Sequence, residues 1–308
     1  MIKRDISDLP RSQGDDGVPP SKNNFIAQRL AEAWFAKYQA EGHMDKARAI
    51  PELPYRASQA SMRCDRQLYY ALTNEPATEP FTVASAWAMG LGTLVHEHVQ
   101  DAVQELFPDA ITEPTVDLQS IGIPGSGHAD LIVDHDGDRV LVELKTTGGF
   151  GFKDMATPHG GRPKGPKYSY LLQAGMLAAA LGIEKVVIAV LAMESASVGI
   201  QRKYDLTDAE RFSAEWHYHI DELMPYVEAE RERIERVIND VRNDQLPARL
   251  LHDPEVAEGA QVTRPLSERA PWMVRQVDDN GNNIVVEAGT TWMCGYCQWR
   301  TTCDQAGE

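Results

Sequence analysis

Residues 128–147 read HADLIVDHDGDRVLVELKTT. Two apolar runs, 129–133 and 140–144, flank Asp136-Gly137, a dipeptide that favours the tight turn of a β-hairpin. On a strand Glu143 and Lys145 point to the same face, because side chains alternate. Asp130 lies about as far before Gly137 as this pair lies after it, so it falls roughly opposite them. Two carboxylates and one ammonium then converge on one side of a strand pair. Oxygen ligands of this kind suit Mg²⁺ or Mn²⁺ better than zinc. The same residues could also form a solvated charge cluster, as on any charged hairpin. The apolar context favours a site: VLVELK sets its charges at the end of a run built for burial, where a charge without a partner is costly.

Composition bounds the rest of the chain. Of 308 residues, 43% are hydrophobic and 25% charged, enough for a substantial core as one elaborated domain or two. No apolar stretch approaches the ~20 residues of a membrane helix. The N-terminal MIKRDISDLPRSQGDDGVPP lacks the apolar core of a signal peptide and reads as a flexible polar tail. An intracellular, cytoplasmic protein is the expectation. The net charge of −16 weighs against nucleic acid as a partner, but it is unevenly spread. Residues 142–205 are net basic and residues 207–250 strongly acidic, so a basic working face beside an acidic outer helix remains compatible with DNA.

Along the chain, residues 1–24 form the tail, 25–110 a helical N-terminal part, 111–206 the central core, and 207–308 a C-terminal helical part. Helices are expected at 25–40, 58–72, 87–106 and 168–181, the first and third with apolar residues at helical spacing. Strands are expected around 112–119, 129–133, 140–146, 186–193 and 199–206, the last two as a second hairpin. Residues 208–243 read as a long acidic helix, or a helix pair broken at Pro225. The segment GGFGFKDMATPHGGRPKGPK (148–167) reads as a basic, glycine-rich connection, long enough to be functional. Helix, strand meander, helix and further strands amount to an α/β core with helical additions.

Cys64 stands alone, while Cys294, Cys297 and Cys303 form C-x2-C-x5-C near the C-terminus. An intracellular chain disfavours disulfides. Structural zinc usually takes paired C-x2-C knuckles, whereas three clustered thiolates plus a remote fourth are a known arrangement for an iron–sulfur cluster. Spacing leaves both metals open. Either requires Cys64 to meet the C-terminal trio in space.

Taken in order, these elements resemble the PD-(D/E)XK nuclease superfamily, in the RecB-like branch with a four-cysteine iron–sulfur cluster. That branch includes CRISPR-associated exonucleases, AddB-type nuclease domains and bacteriophage relatives. The resemblance runs from about Ser58 to Cys303: the lone cysteine in RCDRQLYY, G-x3-H from Gly92 to His96, the hairpin Asp130, Glu143 and Lys145, a helix with Gln173, and the cysteine trio. Each motif alone is weak; the ordered set is specific.

The resemblance implies a restriction-endonuclease-like core, a mixed central sheet flanked by helices. His96, Asp130, Glu143 and the Leu144 carbonyl would hold Mg²⁺ or Mn²⁺, and Lys145 would orient or activate the attacking water. Gln173 would belong to the same site. Cys64, Cys294, Cys297 and Cys303 would hold a 4Fe-4S cluster that clamps the two ends of the domain. The implied activity is a DNA exonuclease, acting on single-stranded ends more readily than on duplex, in recombination, replication or repair and beside the proteins of those processes. A stand-alone nuclease without a fused helicase fits a phage or mobile element. The alternative is a non-catalytic DNA-binding or assembly subunit that kept the cluster.

Three departures stand out. Ala129 replaces the proline of the motif, and Leu177 stands where the family carries a tyrosine four residues after the glutamine, so Tyr168 or Tyr170 would have to substitute. His98 rivals His96, but residues two apart on a helix point about 200° from each other, and Gly92 favours His96. His128 is a candidate substrate contact. Phe150, Phe152, Arg162, Lys164 and Lys167 are candidates to cover the substrate, and Trp292 and Trp299 to pack around the cysteines.

Overall fold

A computed structural model describes residues 55–79, 82–156, 165–194, 207, 209–248 and 297–306, and the backbone of 261–267, 270–277 and 283–287. The chain divides into two compact units, Met1–Asp45 and Lys46–Glu308, the first described only at helical positions 29, 33, 35 and 36. The expected strand 199–206 and most of the expected helix 25–40 lie outside the described residues, as do Arg162, Lys164, Trp292 and Cys294.

The second unit is a mixed α/β structure with sheets flanked by helices. Its elements run β1 (Tyr55–Arg56), α1 (Asp65–Thr73), α2 (Val83–Leu106), β2 (Ile111–Thr112), β3 (Thr115–Asp117), β4 (Gly125–His128), β5 (Leu131–His135) and β6 (Asp138–Thr147). They continue through α3 (Gly149–Ala156), α4 (Tyr168–Leu181), β7 (Lys185–Ala192), β8 (Ser213–His219) and α5 (Ile220–Arg242). Last come β9 (Gln261–Ser267), β10 (Ala270–Val277), β11 (Asn283–Glu287) and α6 (Arg300–Ala306).

The central sheet has the order β2-β5-β6-β7-β8. Its middle pair, β6 and β7, is parallel, joined by a crossover through α3 and α4, and the other pairs are antiparallel. The β5–β6 turn carries positive φ at both central residues, Asp136 (52°) and Gly137 (84°), the mark of a type I′ turn whose twist suits a hairpin. It sets the register Leu131↔Val142 and Ile132↔Leu141. One face of the sheet presents Ile132, Leu141, Val186, Ile188 and Val190 to the main core, with α4 packed on it. The other carries Val133 and Val140 beside Val103 of α2 and Phe107, the residue that caps it. Among the described residues this second face lines a cavity of about 730 Å³.

α4 is apolar nearly all round, as a helix between a sheet and another helix must be. Its Gly175 is the point of closest approach to α5: a Cβ there would stand 2.9 Å from Val227 Cγ2 and 3.2 Å from Leu223 Cβ. Gly175→Val is therefore expected to cost about 1–3 kcal/mol by overpacking. A urea midpoint equal to that of the wild type would contradict this contact.

Several expectations need correcting. The single helix at 58–72 is a 3₁₀ turn, Ala57–Ser61, followed by α1, because Met62 and Cys64 leave helical geometry. The connection 148–167 is not structureless: α3 occupies its first half, and Phe152, only 2% exposed, belongs to the core rather than to a substrate cover. The acidic helix starts at Ile220, not near 208. Residues 213–219 (SAEWHYH) alternate as a strand, with Trp216 and Tyr218 against the core and Glu215 and His217 outward. α5 also runs through Pro225 instead of breaking there. A capping box of His219 with Glu222 fixes its start, and burial of Leu223, Val227 and Ile234 holds it together. On α2, Trp87, Leu94 and Leu106 of the expected apolar face are exposed among the described residues. The part expected to be helical after 207 contains an antiparallel sheet of order β11-β10-β9.

Candidate active site

Glu143 and Lys145 leave β6 on the core side of the sheet, where α4 packs. Glu143 is fully buried. The Lys145 ammonium donates to Glu143 Oε1 and, at 3.2 Å, to Gln173 Oε1. Asp130, just before β5, accepts from the Leu144 backbone N–H through Oδ2 at 2.7 Å. Its Oδ1 lies 3.8 Å from His96 Nδ1, within ion-pair range but too long for a hydrogen bond. α2 comes close enough to place His96 because Gly92 sits beside β6, where even a Cβ would lie 3.4 Å from Thr146 Oγ1. His96, Asp130, Glu143, Leu144, Lys145 and Gln173 thus form one connected set. His98 is exposed, and His128 is exposed on β4, paired with Thr115.

The electrostatics of the set call for positive charge. Burial pushes the Glu143 pKa up to about 7, with Lys145 opposing and Asp130 adding to the rise. Burial likewise raises Asp130, against the pull of Lys145, His96 and the Leu144 N–H. Burial disfavours the Lys145 ammonium, but the Glu143 and Asp130 carboxylates outweigh it and hold its pKa above the usual lysine value. The two carboxylates thus favour the charged form of Lys145, which serves as a hydrogen-bond donor in the set. Glu143 Oε2 is buried and has no hydrogen-bond partner among the described residues.

That orphaned oxygen is the test of whether a divalent cation fits. As the side chains stand, no three His, Cys, Asp or Glu among the described residues are gathered closely enough to hold an ion. Lys145 occupies Glu143 Oε1 and the Leu144 N–H occupies Asp130 Oδ2. The oxygens left, Glu143 Oε2 and Asp130 Oδ1, with the Leu144 carbonyl and His96, make a hard donor set suited to Mg²⁺ or Mn²⁺.

One residue escaped the sequence reading, and a second was named there only as an alternative for the family's missing tyrosine. Glu113, with φ of 48°, donates its N–H to the Asp130 carbonyl and adds negative charge near that carboxylate. Tyr170 lies against Lys145, its ring centroid 5.7 Å from the ammonium. A non-glycine residue in the left-handed region carries no signal in sequence, so Glu113 could not have been found there.

The cysteine region is assembled separately. Cys64 stands at the N-cap of α1, which also carries Arg66 and Tyr70. The Arg66 guanidinium reaches the Pro247 carbonyl at 2.8 Å and Cys303 Sγ at 3.5 Å. Trp299 packs on Tyr70, centroids 6.2 Å apart, and donates to the Glu75 carbonyl at 2.8 Å. The backbone of Thr78 and Glu79 donates to the Gln298 carbonyl at 2.9 Å. The Cys64 segment and the C-terminal segment therefore meet. The buried Tyr70 hydroxyl has no partner among the described residues and lies within electrostatic reach of Cys303 and Cys297. Sulfur donors beside a guanidinium and an unsatisfied hydroxyl are compatible with a thiolate-bound group.

No protein-family model matches the chain, and no curated protein matches it. Among solved structures, SSO0001 is similar with TM-score 0.45 and 15% identity, over 90% of this chain and 96% of that one. An alkaline exonuclease from Laribacter hongkongensis (LHK-Exo) is similar with TM-score 0.40 and 16% identity, over 69% of this chain and 93% of that one. The same exonuclease in complex with dAMP gives TM-score 0.41 and 18% identity over the same shares. Likenesses at this level bear no weight, and the reading of the site rests on its own chemistry.

Proposed function

We propose that this chain is a metal-dependent DNA exonuclease with a PD-(D/E)XK, restriction-endonuclease-like core. It hydrolyses phosphodiesters from DNA ends, single-stranded more readily than duplex, in recombination, replication or repair. The observation that carries this reading is Glu143, a fully buried carboxylate with one oxygen unpartnered among the described residues, next to Asp130 and the Lys145 ammonium. One fully buried carboxylate and one partly buried one beside a single ammonium are short of positive charge, and a divalent cation is what such a set accommodates.

His96, Asp130, Glu143 and the Leu144 carbonyl would hold Mg²⁺ or Mn²⁺. When bound, such an ion supplies Lewis-acid polarisation of the phosphoryl oxygen and a lowered pKa for water. The chain's own groups do the rest. Gln173 and the Glu143 carboxylate hold the Lys145 ammonium in place. Lys145 donates toward the phosphoryl oxygen on which charge grows as water attacks in line. A new P–O bond forms as the bond to the leaving sugar oxygen breaks, and the proton that the attacking water releases to solvent is balanced by the one that the leaving oxygen takes up. Cys64, Cys294, Cys297 and Cys303 would hold a structural 4Fe-4S cluster between the two ends of the unit.

End-labelled single- and double-stranded DNA, incubated with Mg²⁺ or Mn²⁺ and resolved by size, is expected to shorten stepwise. A product ladder independent of divalent cation, or no shortening at all, would sink the assignment. Purified protein is expected to be brown, with broad visible absorption that disappears in Cys294→Ala. A colourless protein with stoichiometric zinc would overturn the cluster.

No helix among the described residues is long and apolar enough to cross a membrane.

A further inference from the structure

Lys167 is the N-cap of α4 and Tyr170 lies in its first turn, close before Gln173. The Tyr170 ring is shared by two ammonium groups, Lys145 at 5.7 Å and Lys167 at 5.6 Å from its centroid. Its neighbour Tyr168 is differently employed: the Arg63 guanidinium covers it at 5.1 Å and Tyr226 meets it edge-on at 5.6 Å. Arg63 in turn is tied to Glu230 at 2.6 Å, so that stack is internal to the fold. Lys167 is exposed and, among the described residues, faces no carboxylate within ion-pair distance.

In a chain of net charge −16, Lys167 is a solvent-facing ammonium held on the same ring as the buried-site Lys145, which puts two cations side by side where an anionic ligand can meet both. Two like charges on one aromatic ring attract the ring but repel each other, and an anion bridging them relieves that repulsion. We infer that Lys167, held by Tyr170, binds the phosphodiester next to the one being cut, so that Lys145, Tyr170 and Lys167 together track the sugar–phosphate backbone of one strand. The inference rests on the nuclease reading and adds to it a backbone subsite. Lys167 is a binding residue and Tyr170 a positioning residue that fixes the spacing of the two cations.

The test is steady-state cleavage of end-labelled single-stranded DNA across a range of salt, with the full chain. Lys167→Ala is expected to raise KM about fivefold or more with a much smaller change in kcat. It should also flatten the dependence of log KM on log salt by about 0.7, one phosphate contact on a single strand. Lys167→Arg should restore most of both. Tyr170→Phe, which keeps the ring, should retain the low KM. Tyr170→Leu should reproduce the Lys167→Ala salt slope and also lower kcat, because Lys145 loses the same ring. Unchanged KM and salt slope in Lys167→Ala, with an active wild type, would overturn the subsite and leave the nuclease reading intact. A wild type that neither cuts nor binds DNA would overturn both.

Discussion

Glu143→Gln is expected to lower Mg²⁺- or Mn²⁺-dependent DNA cleavage by ~10³-fold or more, the equivalent of several kcal/mol of lost transition-state stabilisation. The substitution keeps the shape and an acceptor for Lys145 but removes the charge from the orphaned buried oxygen. It should also stabilise the protein in the presence of a chelator. Burial raises the Glu143 pKa from its ordinary value of 4.5 to about 7, so folding favours the protonated acid. Its contribution to stability is fully present below pH 4.5 and is lost as pH rises through about 7. At pH 8 the wild type therefore carries a burial penalty that glutamine lacks, about 3 kcal/mol with the attraction of Lys145 already included. At pH 4.5 the two proteins should be equally stable. Urea denaturation in chelator at both pH values, beside a cleavage assay, gives the answer. A Glu143→Gln protein that still cuts DNA, or that is less stable than the wild type at pH 8, would refute the role given to this carboxylate.

Arg233→Ala is expected to be the most destabilising single change outside the candidate active site, at about 3–5 kcal/mol. The guanidinium is buried and meets Glu230 at 2.8 Å, Asp65 at 2.7 Å and the Met62 carbonyl at 2.6 Å. Burial disfavours its charge, yet Glu230 and Asp65 more than compensate and raise its pKa above the usual arginine value. Glu230 is itself fully buried, accepts from Arg63, and faces the Tyr55 hydroxyl at 3.4 Å. Removing Arg233 leaves a buried carboxylate with one cation instead of two. The same change frees the Met62 carbonyl and Asp65 on either side of Cys64, so the cysteine segment should loosen with it. Hydrogen exchange is expected to rise first at 62–73, ahead of global unfolding. Replacing Arg233 and Glu230 together by Met and Leu should cost less than Arg233→Ala alone, since the fully buried carboxylate leaves with its guanidinium and only the more exposed Arg63 and Asp65 lose a charged partner. A double variant as unstable as the single one would mean that packing, not charge, holds this junction.

The distance between these residues in sequence explains what could be foreseen. The hairpin was legible because its determinants are local. Asp136-Gly137 favours φ > 0 at two successive residues, and alternation then puts Asp130, Glu143 and Lys145 on one face whatever surrounds them. α4 was legible for a similar reason: a largely apolar run, broken only at Ser169 and Gln173, ending at Gly182, whose φ of 67° closes the helix. The segment 213–219 was misread because acidic residues before and after it resemble one long helix. Its period-two alternation counts only once β7 offers an edge to pair with, as in Ile188↔Trp216. The glycine-rich stretch after β6 was misread because glycine lowers helix propensity, whereas burial of Phe152 and Met155 against the sheet overrides it.

Local residue order was therefore enough to place two carboxylates and a lysine together, whereas Gln173 was expected beside them only through the resemblance of the ordered motifs. It could not say that Glu143 would be buried with one oxygen unpartnered, or that Lys145 would stay charged. Nor could it show that Tyr170 would hold two lysines, or that Tyr55, Arg63 and Asp65 would meet Glu230 and Arg233. Those properties depend on which segments exclude water from a given atom. That is settled by contacts across more than 160 residues of chain, as between Arg63 and Glu230, and no local pattern encodes them.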